Sequence, residues 1–332
     1  INPMQYGTIV HYILERFFGE YTKEEYLSLE EDKFQKIVCA YLAEYAVKYF
    51  GEEQLESNSF TYRLKTILDN VMYLMKHIME ELSQSEFFVA DCELKIGEDI
   101  PSYTIVLPDG HKIAVCGSVD RVDIMQRADI TYLRIIDYKT GTKQFKLSDI
   151  LYGINLQMLL YLHSIEASGG DKYGEIVPAG ILYMPATVPY IPSDSLKSID
   201  KLPDELNKKL KMNGLLLKDT EIIHGMDKTD AATYIPVKIK AGEPVSSTSL
   251  ATLAEFGKIF KKVDMLIAEM GKNIYNGNIE AKPLKGGHDS CEYCPYDSVC
   301  AYRQSNPITC FSVDNKTVIE EITNEINGKE EK

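Results

Sequence analysis

No run in this 332-residue chain is long and apolar enough to span a bilayer, so a helical membrane protein is excluded. No GxxxxGK[ST] segment is present, so any ATP chemistry must lie outside this chain. A secretory leader is missing too, although a chain that opens at Ile1 says nothing about the true start of its parent. The seven cysteines show no pairing scheme, which suits a reducing compartment and predicts a cytoplasmic protein. Positive charge is scarce: 36 Lys and Arg against 50 Asp and Glu give a formal net charge of −14. Nucleic-acid affinity comes largely from phosphate neutralisation, so a chain this acidic is not expected to hold nucleic acid tightly by itself.

At 45% hydrophobic content, the chain can bury a substantial core. Helical periodicity runs through residues 7–18, about 31–50 and about 60–82. Strands are predicted near 87–96, 102–107, 112–125, 131–139 and 176–184. Ser148 and Asp149 read as the N-cap and first turn of a helix running to His163. Residues 186–248 are more polar and hold several prolines, with a short helix from Pro203 ending at Gly214; they read as an insertion or lobe. A helix over 250–276 spaces Leu253, Phe256, Phe260, Val263, Ile267, Met270 and Ile274 by three or four and stops at Gly277, with core packing the expected use of that stripe. From 314 the chain is acidic and thinly apolar, either disordered or a helix docking through Val318, Ile322 and Ile326. The expected division is one domain over 1–310 and an acidic tail over 311–332. Within the domain lie N-terminal helices (1–85), a core (86–185), the lobe (186–248) and a long helix with a cysteine motif (249–310).

Two apolar strands in the middle of the chain each end in an aspartate. One reads Ile113-Ala-Val-Cys-Gly-Ser-Val-Asp120-Arg-Val-Asp123, the other Tyr132-Leu-Arg-Ile-Ile-Asp137-Tyr-Lys139-Thr-Gly141. A turn around Arg127, Ala128 and Asp129 makes facing residue numbers sum to about 257, which sets Asp120 across from Asp137 with β-carbons roughly 4.5–5.5 Å apart. Lys139, two positions on, leaves the same face as Asp137. Two bare carboxylates this close repel, and a divalent cation with oxygen ligands is the natural means of holding them. The pattern points to metal-dependent phosphodiester hydrolysis.

An acid-x-lysine triplet alone carries little weight, because Glu31/Lys33, Glu93/Lys95, Glu280/Lys282, Asp314/Lys316 and Glu330/Lys332 share it. The one at Asp137 stands apart by ending a continuous apolar strand; the bland alternative is a strand that merely surfaces there. Gln157 and Tyr161 lie four apart on one face of a mostly apolar helix and need partners if buried, though a helix edge at the surface would explain them as well. His11 sits among Ile9, Val10, Ile13, Leu14 and Phe17, a position that by itself suits a packed histidine. Glu15 reads as an exposed carboxylate, Glu93 as an acid within possible reach of the site, and Arg121 and Asp123 as local ion-pairing or DNA-backbone residues.

Gly7-Thr-Ile-Val-His11, Gly117-Ser-Val-Asp120-Arg121, Asp137-Tyr-Lys139-Thr-Gly141 and Gln157-x-x-x-Tyr161 together resemble, in order and separation, the PD-(D/E)xK nuclease superfamily in its RecB-like branch. The Gly-Ile-Leu-Tyr at 180–183, the long amphipathic helix and Cys291-Glu-Tyr-Cys294-Pro-Tyr-Asp-Ser-Val-Cys300 extend the likeness to the nuclease domains of AddAB-type helicase–nuclease B subunits. The resemblance implies an α/β fold with a restriction-endonuclease-like core: a mixed central sheet flanked by helices, extra N-terminal helices and a C-terminal extension. It implies that His11, Asp120, Asp137 and the Tyr138 carbonyl bind Mg²⁺ (or Mn²⁺). Lys139 would then orient or activate the attacking water and offset phosphate charge, while Gln157 and Tyr161 steady the site and the substrate backbone.

The implied activity is exonucleolytic hydrolysis of DNA, preferably of single strands unwound by a partner helicase subunit (the A subunit), in double-strand-break processing and recombinational repair. The B-subunit role implies the 5′-ended strand. A stand-alone Cas4-like exonuclease shares these motifs. A catalytically idle DNA-binding scaffold is the other alternative, and the intact Asp120/Asp137/Lys139 set argues against it.

By spacing alone, Cys291, Cys294 and Cys300 suggest a metal or cluster site one ligand short. In the resembled family they hold a [4Fe–4S] cluster with a fourth cysteine from upstream of the Gly-x-x-x-His helix, stapling the two ends of the domain. The cluster is therefore expected in the full-length protein and expected to be incomplete or absent in this fragment, with Cys310 an unpromising substitute. Cys39 and Cys116 read as core residues, and Cys92 is less clear. Residues 111–150 hold seven Lys or Arg against five Asp, whereas 15–60 hold five against eleven acids. The site region is thus the basic part of an acidic body, which predicts weak DNA binding in isolation and delivery of the strand by partner subunits.

Overall fold

The computed structural model describes residues 1–141, 143–192, 202–246, 248–296, 298–300 and 307–330. Five helices come first: α1 (Pro3–Glu20), α2 (Lys23–Leu27), α3 (Glu31–Phe50), α4 (Glu52–Leu55) and α5 (Asn58–Gln84). α1 starts at a capping box in which Asn2 and Gln5 each accept the other's backbone N–H, with Pro3 where no N–H is needed. Its apolar stripe, Ile9, Val10, Ile13, Leu14, Phe17 and Phe18, is buried.

Next come β1 (Phe88–Ile96), a separate hairpin of β2 (Tyr103–Val106) and β3 (Lys112–Val115), then β4 (Gly117–Arg127) and β5 (Ile130–Lys139). After a 3-10 turn over Leu147–Tyr152 follow α6 (Gln157–Ser168), α7 (Gly170–Tyr173), β6 (Glu175–Pro185), α8 (Leu202–Leu210), β7 (Asn213–Leu217) and α9 (Thr220–Met226). The chain closes with β8 (Lys238–Lys240), β9 (Glu243–Val245), β10 (Leu250–Ala251), α10 (Leu253–Tyr275), β11 (Leu284–Gly286), β12 (Ile308–Cys310) and α11 (Asn315–Glu330).

The central sheet runs β1-β4-β5-β6-β7-β10. Pairs β1/β4, β4/β5 and β6/β7 are antiparallel, while β5/β6 (joined through α6) and β7/β10 are parallel. This is the mixed, helix-flanked α/β sheet expected from the sequence. Five consecutive residues of β4, Arg121 to Met125, are buried, so both faces of the sheet are covered at its centre.

The structure revises several local expectations. The α-helix after β5 begins at Gln157, not Ser148: Leu147–Tyr152 is a 3-10 turn with no side-chain cap, and Gly153 and Asn155 adopt left-handed φ values of 69° and 55° that break the chain before α6. The segment 186–248 does more than project from the core, because its β7 pairs with β6 inside the central sheet. The helix there ends at Leu210, and Gly214 belongs to β7, where a Cβ would stand 2.0 Å from the Ile181 carbonyl oxygen. Residues 193–201 lie outside the described residues. α10 buries Phe256, Phe260 and Val263 but leaves Leu253, Met270 and Ile274 exposed, since the helix outruns the core. The acidic tail is a helix, and Val318, Ile322 and Ile326 are buried as α11 packs on α10, with Lys262 Nζ 2.5 Å from Glu325. Cys116 is exposed and Cys39 half-buried, so neither is a core thiol.

Under the sheet's centre lie four fully buried charges. Arg121 donates to Asp123 (2.6 and 2.7 Å) and to Glu81 of α5 (3.1 Å); Arg134 donates to Asp123 (3.0 Å) and to Glu81 (2.6 Å). Burial alone would raise the Asp123 carboxyl, but the two guanidiniums hold it below the usual range. Glu81→Ala leaves two buried arginines short of a partner and should cost about 3–5 kcal/mol in a urea unfolding titration; a loss under about 1 kcal/mol would mean that water or repacking satisfies them.

A second charge cluster ties α6 to α10. His163 lies 3.2 Å from Glu166 and 3.3 Å from Asp264, which also accepts from the Tyr103 hydroxyl at 2.9 Å, and its ring stacks on Phe260. Burial disfavours the charged imidazole, but the hydrogen bonds and charges of Asp264 and Glu166 outweigh it and raise the pKa to about 9. An unfolded histidine titrates near ~6.5, so this stabilisation is complete below about pH 6.5 and is lost as pH rises through about 9. The Tm advantage of the native chain over His163→Gln should therefore shrink between those limits. A constant difference would show that His163 is neutral in the fold.

Candidate metal centre

The β4–β5 ladder pairs Arg121 with Ile136 through to Arg127 with Ile130, every pair summing to 257, with the turn at Ala128 and Asp129. Continuing that register sets Asp120 against Asp137, and Asp120 Oδ2 accepts the Tyr138 N–H at 2.9 Å. Asp137 is 6% exposed, and Lys139, projecting from the same face, places Nζ 2.6 Å from Asp137 Oδ2 and 5.9 Å from the centre of the Tyr183 ring.

α1 brings in His11. Its Nδ1 is 3.1 Å from Glu93 Oε1 and 3.7 Å from Asp120 Oδ1, and its ring meets Tyr138 edge-on at 5.7 Å. One turn earlier, Gly7 lies against Thr140, the residue after Lys139. The β1–β4 ladder pairs Cys92 with Arg121 and Leu94 with Val119, which puts Glu93 opposite Asp120. Glu93 holds a left-handed φ of 50° in mid-strand and accepts from Ser118 Oγ at 2.9 Å. Such a backbone costs on the order of 1 kcal/mol or more in a non-glycine residue and concentrates at functional sites.

One ligand atom each from His11, Glu93 and Asp120 lie within 4.8 Å of one another, and no other group of three or more His, Cys, Asp or Glu does so among the described residues. Burial, with Asp137 and Glu93 adding to it against the pull of His11, pushes the Asp120 carboxyl up to about 6. His11 is raised: burial works against its charge, but the hydrogen bond to Glu93 and the charges of Asp120, Glu93 and Asp137 prevail. Glu93 is lowered, chiefly by the His11 hydrogen bond. These crowded, part-buried acids fit a divalent cation, which would offset both the burial and the repulsion that raise Asp120.

Tyr161 packs on the site from α6. A Cβ at Gly117, three residues before Asp120, would fall 2.2 Å from its hydroxyl, so the tyrosine needs glycine there. Gln157 is exposed in the first turn of α6, with no side-chain hydrogen bond among the described residues. Arg121 and Asp123, beside the site in sequence, point into the buried charge cluster. Glu15 is exposed and lines the cleft of about 720 Å³ onto which His11, Glu93, Ser118 and Thr140 open. Glu93 is the residue that sequence reasoning left out of the ligand set. Its acid-x-lysine spacing resembled several exposed triplets, and only the pairing register reveals it.

Cys291, Cys294 and Cys300 lie in a run of turns tethered by the Cys291 N–H to Asp289 (2.8 Å) and the Cys300 N–H to the Tyr296 carbonyl (2.8 Å). Their thiols are free and do not converge as closely as the ligands of a single ion. That leaves a multi-iron cluster open, because each iron takes its own thiolate. Cys310 is buried in β12.

The model of the PD-(D/E)XK nuclease superfamily matches residues 1–301, and the chain belongs to that superfamily. It is similar to the B subunit of the ATP-dependent helicase/deoxyribonuclease of Thermoanaerobacter sp. (strain X514), 34% identical in an alignment that covers 91% of this chain and 27% of that protein. Its namesake in Alkaliphilus oremlandii (strain OhILAs) is 32% identical in an alignment that covers 98% of this chain and 29% of the other. The chain thus spans under a third of the length of these relatives.

Replacing Glu93 by Gln should weaken Mn²⁺ binding at least about tenfold by calorimetry while leaving the fold intact. Unchanged affinity would restrict the ligands to His11 and the aspartates.

Proposed function

We propose that this chain is a divalent-metal-dependent DNA nuclease that acts as the nuclease part of a longer helicase–nuclease. The clustering of His11, Glu93, Asp120, Asp137 and Lys139 beside the cleft that His11 and Glu93 line carries the reading. The relatives' name supports DNA as the substrate and a role as one component of a larger machine.

Asp120, Asp137, His11 and the Tyr138 carbonyl would hold Mg²⁺ or Mn²⁺, with Glu93 fixing the imidazole through Nδ1 or joining the ligands itself. Once bound, the cation supplies charge neutralisation on the phosphate and a lowered pKa for its water. Lys139 faces the same space: its ammonium orients the attacking water and holds a phosphate oxygen. The Tyr138 N–H aims Asp120 and works against the rise in its pKa. Tyr161, seated over Gly117, steadies the β4 end, and Gln157 on the same helix face reaches the substrate backbone.

The net charge of −14 gives little pull on phosphate, which supports delivery of the strand by a partner helicase subunit. Exonucleolytic cutting of single strands in double-strand-break repair is part of the same proposal. Cys291, Cys294 and Cys300 suit three of the four ligands of a [4Fe–4S] cluster whose fourth comes from elsewhere in the longer protein, and no step of hydrolysis is assigned to it.

The test is cleavage of end-labelled single-stranded DNA with Mg²⁺, Mn²⁺ or EDTA. Cutting should need metal, vanish in Asp137→Ala and fall about 10²–10³-fold in Lys139→Ala. Absence of both cutting and metal binding in the native chain would leave a scaffold instead.

A further inference from the structure

The cleft that opens onto His11 and Glu93 has a second wall made of tyrosines. Tyr12 of α1 and Tyr45 and Tyr49 of α3 all line it. Their rings form a ladder, with 5.2 Å between the centres of Tyr12 and Tyr45 and 4.4 Å between Tyr45 and Tyr49. The ladder is anchored at its inner end. Tyr45 is buried, and the Tyr12 hydroxyl donates to Glu44 at 2.8 Å, with Arg16 reaching both residues. Its outer member is not: Tyr49 is 55% exposed, its ring backed by Tyr45, with Lys48 Nζ 5.1 Å from the ring centre.

We propose that this ladder is a stacking platform for the unpaired bases of the strand being cut, and that it makes the site selective for single-stranded nucleic acid. The proposal rests on the nuclease reading and deepens it. Tyr49, backed by Tyr45 and more than half exposed, with only the exposed Lys48 side chain over it, can present its ring to a base once that lysine swings aside, and every base offers a π-face, so the contact is independent of sequence. Bases inside a duplex are already stacked on each other and cannot reach it.

The charges around the ladder roughly balance. Glu15 and Lys95 line the same cleft, Glu44 is paired with Arg16, and Lys48 stands over Tyr49, so this wall offers phosphate little net attraction. The backbone is left to the side bearing Lys139 and the metal centre. At Pro3 and Thr140 the cleft adjoins a second hollow of about 500 Å³ bearing Arg63, Thr66 and Asn70 of α5, which gives a strand a way onward past the site.

The experiment compares fluorescently labelled oligothymidylate with an abasic oligonucleotide of equal length, by anisotropy with Ca²⁺ in place of Mg²⁺. Tyr49→Ala should weaken oligothymidylate binding roughly five- to hundredfold and leave abasic binding unchanged. Tyr49→Phe should restore the native value, and the ratio should persist at raised salt because stacking releases no counterions. Equal loss on both probes, or no loss in Tyr49→Ala, overturns the platform. If the native chain still cleaves DNA metal-dependently in that case, the nuclease reading survives. A native chain that binds neither probe and cuts nothing sinks both.

Discussion

Two arginines and two acids, all fully buried, set the alignment on which the rest of the structure depends. Asp123 and Arg134 are direct cross-strand partners in the β4–β5 ladder, Arg121 donates to the same Asp123, and Glu81 closes the group from α5. Such a cluster is weak evidence for stability, since desolvating four charges costs about as much as their attraction returns. Its consequence is specificity of register. Side chains alternate along a strand, so a slip of β5 by one residue would turn Arg134 away and leave Asp123 and Glu81 sharing the single Arg121 guanidinium in an apolar interior.

The same register that satisfies the cluster sets Asp120 against Asp137, three residues further along β4 and β5. The Arg121 guanidinium lies 3.5 Å from the Tyr138 hydroxyl, and Tyr138 supplies the N–H that aims Asp120. One set of strand pairings thus produces both a charge-balanced buried quartet, in which Arg134 Nη1 has no hydrogen-bond partner among the described residues, and, on neighbouring residues, a site whose acids outnumber its cations. The difference is composition: beneath the sheet two acids meet two guanidiniums, whereas at the cleft Glu93, Asp120 and Asp137 meet one imidazole and one ammonium. Burial first, and the neighbouring Asp137 and Glu93 after it, raise the Asp120 pKa there.

An acidic body around such a site divides the work. On the proposed reading, phosphate attraction comes from a few well-placed cations and a bound metal, while the tyrosines of α1 and α3 take hold of bases. The chain spans under a third of its relatives' length, which agrees with a part that processes a strand brought to it.

Much of this was written in local pattern. The period-3.6 stripes of α1 and α5, the apolar strands ending in Asp120 and Asp137, and a turn at Ala128 that sets their register depend on residues close in sequence, so the sequence by itself determined the α/β class and the facing aspartates. The break before Gln157 and the exposed end of the α10 stripe depend on what packs nearby, and local periodicity does not record that. The same holds for the entry of β7 into the sheet, where Gly214 matters only because the Ile181 carbonyl passes 2.0 Å from the place of its missing Cβ. Glu93 and the tyrosine ladder were settled by tertiary structure alone. Glu93 stands 82 residues from His11, and Tyr49 stands 37 from Tyr12, in stretches whose composition reads as ordinary surface. Only the pairing of β1 with β4 and the packing of α1 against α3 bring them to the cleft, because charge and π-contacts act through space over a few ångströms, whatever the length of chain between.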